Sequence, residues 1–301
     1  MLGSGNAMKP GISFSLISLI AAALILFSCR ATPTPQAESQ SASQAQEKLH
    51  VFLGFDRNLF PGSDALPVLR KTFAFSSYWL SPPPGEKTNT WLGQRDALRS
   101  QGFGFLLLYR GRESSEVITY APALEKGIAD ARNAASVAKS EGFPAQSIIF
   151  LDIEEGGRLP ETYHIYLRAW NSELRRLGFL PGLYCSGIPV NEGPKVTITT
   201  ADNIRAHAPS IEFAFVFFIF NDVCPPSPGC TFPQNPPSPA MGGIPSAALW
   251  QYAQSPRRME RTAHCAPGYH TDGNCYAPGD AAHTWFLDVD TANSPDPSNG
   301  K

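Results

Sequence analysis

Segment 147–155 (SIIFLDIEE) holds the residues best suited to chemistry. Its four apolar residues, 148–151, read as a strand buried on both faces, and Asp152 and Glu154 follow at its C-terminal end. On a strand, residues i and i+2 project to the same side, so both carboxyls leave the buried strand together. Burial and mutual repulsion there push their pKa values apart, so that one acid keeps its proton while the other ionises. Hydrolysis of a glycosidic bond needs such a pair. An isolated D-x-E equally marks a strand meeting solvent, so the surrounding elements have to decide between the two.

Eight runs read as strands: 51–56, 72–80, 104–109, 147–154, 180–185, 213–220, 247–252 and 285–290. Eight closes a barrel, and the fold class expected is α/β, a single-domain (β/α)8 TIM barrel. Between the runs, Leu124, Ile128, Ala131, Ala135 and Ala138 form one apolar helical stripe, and Tyr163, Leu167, Trp170, Leu174 and Leu177 another. Three Gly-Phe junctions, at Gly102, Gly142 and Gly178, read as helix ends in which glycine turns left-handed and the phenylalanine folds back.

Barrel chemistry sits at the C-terminal ends of strands, and three strands end in acids: Asp56, the Asp152/Glu154 pair, and Asp288 with Asp290. Those carboxyls are expected to ring one cleft, with Asp288 deeper than Asp290 and Glu155 on the opposite face of its strand. The long loops 221–246 and 253–284 carry Tyr269, Tyr276, His264, His270 and His283 and are expected to wall that cleft. Cys224–Cys230 and Cys265–Cys275 are the simplest local disulfides, and Cys185 reads as a buried inert thiol. The His/Cys spacing in the second loop fits no common zinc motif, and no strand end supplies a histidine; neither a metal nor another cofactor is expected.

Lys9 precedes an uncharged apolar run, 12–28, which ends at Cys29 after a small residue, the pattern of a lipoprotein signal in which Cys29 receives lipid. An uncleaved anchor helix is the other reading; both place the body outside the cytoplasmic membrane. Residues 1–29 are thus read as signal, 30–48 as a flexible Ala/Gln/Ser/Thr/Pro linker, 49–293 as the barrel and 294–301 as a disordered tail. A net charge of −2 provides no basic field for nucleic acid, and 43% hydrophobic residues suffice for a sizeable core.

Several segments together resemble the glycoside hydrolase-like barrel domain of secreted bacterial proteins and its relative, the N-acetylmuramidase (lysozyme) family. They are LGFD (53–56), GIADA (127–131) with GFP (142–144), IFLDIE (149–154), WQY (250–252) and LDVD (287–290). The resemblance implies Glu154 as general acid, Asp152 as stabiliser of the oxocarbenium-like centre, and Asp56 and Asp288 as setters of local charge. Tyr78, Tyr109, Tyr184, Trp250, Gln251 and Asp290 are assigned to sugar binding. A chitinase-type site is excluded, because it needs an acid where Phe150 stands. The function expected is hydrolysis of a cell-envelope glycan, peptidoglycan first, by a monomer tethered to a membrane through lipid. The alternative is a glycan-binding or scaffolding lipoprotein on the same barrel.

Overall fold

The computed structural model describes residues 50–208, 214–223, 229–265 and 267–301. The signal segment, Cys29, the linker and Cys224 lie outside the described residues. In chain order the elements are β1 (Phe52–Asp56), α1 (Leu66–Leu69), β2 (Phe75–Trp79), α2 (Arg95–Ser100), β3 (Gly104–Arg110), α3 (Tyr120–Ser140), β4 (Ile148–Asp152) and α4 (Glu161–Arg176). There follow β5 (Leu180–Ser186), β6 (Val190–Gly193), β7 (Val196–Ile198), α5 (Thr200–Ala206), β8 (Val216–Phe220), β9 (Leu249–Ala253), α6 (Met259–Thr262) and β10 (Asp288–Ala292). Eight strands close in the order β1-β10-β9-β8-β5-β4-β3-β2, while β6 and β7 form a separate hairpin.

All eight expected strands are present, but the barrel is mixed. β10 pairs antiparallel with both β1 and β9, whereas the other strands are parallel to their neighbours. A parallel entry would need a crossover back to the far end of the barrel. Among its described residues the stretch before β10 contains only the four-residue helix α6, and the chain re-enters from the mouth. This corrects the uniform (β/α)8 expectation and reverses the depths of the last two acids. Asp288 pairs with Asp56 at the mouth, and Asp290 pairs with Gly54 one layer down.

Pairing register fixes what points inward. Gly54 faces the ring of Phe75, and a Cβ added to it would lie 2.1 Å from that ring, so only glycine fits beside this phenylalanine. From that pair, alternation carries Asp56, Trp79, Leu108, Asp152, Tyr184, Phe218 and Gln251 to the interior. On the outside, α4 buries Tyr163, Leu167, Trp170 and Leu174 as its stripe requires. The α3 stripe is rotated: Ala131, Ala135 and Ala138 are buried, but Leu124 is exposed. The three junction glycines have φ of 83°, 82° and 90°, and the following phenylalanines donate back to the carbonyls of Leu98, Ala138 and Leu174.

The tail 294–301 is not loose, contrary to its polar composition. Its polar groups cap the bottom of the seam between β3 and β4: Asp296 accepts from the Phe105 amide and Ser298 Oγ from the Leu107 amide, both at 2.8 Å. The Ser298 carbonyl accepts from the Ile148 amide at 2.8 Å, and Ser298 is fully buried. Polar residues order here because they are the partners that buried backbone N–H groups need.

The cysteine expectation is also corrected. Cys230 bonds Cys275, 45 residues away, so neither local pair forms; Cys265 is disulfide-bonded to neither of them. The loops leaving β8 and β9 emerge side by side at the mouth, which makes a bridge between loops as short as one within a loop. Cys185 is buried as expected, and burial pushes its thiol pKa up.

Truncating the chain after residue 293 strands three buried amides, each worth about 1–3 kcal/mol. Urea denaturation of the truncated chain should show a loss of at least ~3 kcal/mol; an unchanged midpoint would mean that the tail does not close the seam.

Candidate active-site cleft

At the mouth of the barrel the inward-facing ends of the strands enclose a cavity of about 300 Å³, lined by Asp56, Asp152, Glu154, Tyr184, Gln251 and Asp288, with Asn58, Trp79, Gln254, Ser255, Pro256 and Arg258. β4 delivers Asp152, which is buried, and the chain then leaves the strand so that Glu154 stands open to solvent at the rim. Glu155 turns away, accepting from the Ser114 amide at 2.5 Å.

Gln251 ties the floor together. Its amide nitrogen donates to Asp56 at 2.8 Å and, more weakly, to Asp288 at 3.5 Å. Its carbonyl oxygen accepts from the Tyr184 hydroxyl at 2.8 Å and from Gln254 at 2.6 Å. One neutral side chain thus links two acids to the opposite wall. Asp288 also accepts from the Ser255 amide at 2.5 Å.

Burial is the first cause of every carboxyl shift in the cleft. It pushes Asp56 up to about 6, against the opposing hydrogen bonds from Gln251 and Asp290. Asp152 is raised well above the ordinary aspartate range by burial, then by the charges of Glu154 and Asp56. Neither of its oxygens has a hydrogen-bond partner among the described residues. Asp288 is raised in the same way, and Glu154 is raised by burial against the pull of Arg258 and Arg110. Asp290 lies beneath the floor, fully buried and raised well above its usual range. Among the described residues no amide or hydroxyl group satisfies it; carrying its own proton, it donates to Asp56.

Of the six residues assigned to sugar binding, Tyr184 and Gln251 line the cleft, Asp290 lies beneath its floor, and the other three face away from it. Tyr78 packs outside the barrel 5.0 Å from the Phe143 ring and donates to Glu141. Tyr109 lies 5.5 Å from Trp170 under the helices, and Trp250 donates outward to the Asn221 carbonyl at 2.9 Å. Strand parity is the reason, since each is one residue out of phase with the inward-facing set. The loop aromatics miss the cleft as well: Tyr276, His270 and His283 cluster with one another, and the wall is built from Gln254, Ser255, Pro256 and Arg258. Trp79 was recoverable once the phase of β2 was known. Arg258 sits in an irregular loop and left no periodic signal. Among the described residues no group of three or more His, Cys, Asp or Glu side chains is arranged to hold a metal ion.

The buried Asp290 makes a pH prediction. The native state keeps a proton that the unfolded chain loses above about pH 4, so stability falls as pH rises from there toward the raised native pKa, by about 1.4 kcal/mol for each pH unit crossed. Asp290→Asn keeps the shape and cannot ionise. Its melting temperature should gain on the parent progressively from pH 4 to pH 8, and a gap that stays constant with pH would contradict the assignment.

Residues 81–211 match the model of the family described as Rv2525c-like, glycoside hydrolase-like domain. The chain is similar in fold to an uncharacterized B. stearothermophilus protein, at 20% identity and a TM-score of 0.52, over 80% of this chain and 95% of that one. It is also similar to the Tat-secreted protein Rv2525c of Mycobacterium tuberculosis, at 14% identity and a TM-score of 0.46 over 82% and 96% of the two chains. The spore cortex lytic enzyme SleM of Clostridium perfringens gives 14% identity and a TM-score of 0.47 over 83% and 70%. No curated protein matches. The family match spans α2 to α5, and so includes Asp152, Glu154 and Tyr184 but neither Asp56 nor the β9–β10 side of the cleft. Residues 81–211 thus match an Rv2525c-like, glycoside hydrolase-like domain, and the described residues close an eight-stranded mixed barrel.

Proposed function

We propose that this protein is an extracytoplasmic, lipid-anchored glycoside hydrolase acting on a cell-envelope glycan, peptidoglycan first, and that it works as a monomer. The observation that carries the reading is the contrast between Glu154 and Asp152. Glu154 is open at the rim with its pKa raised by its surroundings, while Asp152 is buried behind it without a donor to either oxygen among the described residues. A rim acid that holds its proton can protonate a leaving glycosidic oxygen.

In this reading a sugar ring enters the cleft over Trp79 and Tyr184 and stacks on apolar surface. Glu154 gives its proton to the departing oxygen. Asp152 takes the role its empty hydrogen-bonding capacity suits: it accepts from the substrate's acetamido N–H and stabilises the oxocarbenium-like centre through that group. Asp56 and Asp288, held by Gln251, keep the floor polar without moving. Export and tethering rest on the apolar run ending at Cys29. Among the described residues no helix is long and apolar enough to cross a membrane.

The test is release of reducing sugar from purified peptidoglycan by the parent chain and by Glu154→Gln, which keeps size but cannot donate a carboxyl proton. The parent should release sugar, and the variant should be slower by at least about a hundredfold. If both bind the glycan equally and neither releases sugar, the barrel is a binding or scaffolding module.

A further inference from the structure

Among the described residues lining the cleft, four are acids and Arg258 alone is basic. Its guanidinium is fixed on two sides. Nε and Nη2 donate to the two oxygens of the buried Asp222 at 2.9 and 2.7 Å, and the group lies 5.0 Å over the ring of Phe220. A bidentate pair on one edge and an aromatic ring on one face leave little rotational freedom. Nη1 makes no hydrogen bond among the described residues. The result is an oriented donor beside the general acid, whose charge is felt by both Glu154 and Asp288.

Holding the loop after β9 against β8 would require only the Asp222 edge. An arginine rather than a lysine at that place leaves a further planar donor, which suits a carboxylate. The acids nearby do not forbid an anionic guest, because burial keeps Asp152 and Asp288 protonated well above the usual aspartate range. Resting on the glycan reading above, we propose that Arg258 is a specificity-determining residue, which selects a saccharide carrying a carboxylate on the ring beside the scissile bond by donating Nη1–H to it. A charge-assisted hydrogen bond of this kind favours the acidic sugar over a neutral analogue by about 10- to 100-fold.

Calorimetric titration of the full chain in mild detergent tests this with two probes. One is the alternating N-acetylglucosamine/N-acetylmuramic acid tetrasaccharide with free lactyl carboxylates, the other the same molecule with those carboxylates amidated. The parent should bind the acidic form at least about tenfold more tightly. The double variant Arg258→Met/Asp222→Asn, which leaves no buried charge unpaired, should bind both forms alike, with its melting temperature reporting on folding. Should it fail to fold, Arg258→Lys, which keeps the charge and loses the fork, should narrow the preference to below about threefold. Equal binding of the two probes by the parent, or a preference that survives in the variants, overturns the role of Arg258 and leaves the glycan reading standing. Binding of neither probe overturns the glycan reading and the inference with it.

Discussion

Keeping acids inside a barrel without leaving them charged is the constraint on which the rest of the structure depends. Asp56, Asp152, Asp288 and Asp290 all lie in or under the cleft, and burial raises every one of them. Isolated carboxylates in such a place would cost several kcal/mol each. The molecule answers with neutral partners rather than cations. Gln251 donates to the two mouth acids, Asp290 keeps a proton and shares it with Asp56, and Glu154 stands at the rim with its own pKa raised. Arg258 stands at that rim, already joined to Asp222.

The reversed last strand makes this arrangement possible. Because β10 runs against its neighbours, its first residue reaches the mouth and Asp288 meets Asp56 directly across the register. Had it run parallel, Asp290 would have stood at the mouth and Asp288 below. The same route keeps the long loop before β10 on the mouth side, where its first residues become a wall of the cleft. Fold and site are therefore coupled through one connection, and the packed tail closes the opposite end of the barrel, at the seam between β3 and β4.

The strand count and the acids at strand ends were legible from the sequence, since buried strands and terminal carboxyls leave local marks. Strand direction was not, because a strand's own residues look alike whichever way it enters. Parity failed where two aromatics are adjacent: Tyr78 and Trp79 look equally able to face a sugar, and only the fit of Phe75 beside Gly54 sets the phase. Disulfide partners failed for a related reason, as sequence distance says nothing about which two loops stand together at the mouth. Arg258 was invisible because its place is set by Asp222 and Phe220, contributed by a neighbouring strand and the loop that follows it.

The central claim is that the cleft keeps a proton on Glu154 beyond the pH at which a free glutamate loses it. Carboxyl carbon NMR of the chain labelled at glutamate, with Glu154→Gln assigning the resonance, measures that midpoint directly. The account predicts a midpoint above the ordinary glutamate value of about 4.3. A midpoint at or below that value would mean that Arg258 and Arg110 outweigh burial at the rim, and Glu154 would then be a carboxylate unable to act as the acid.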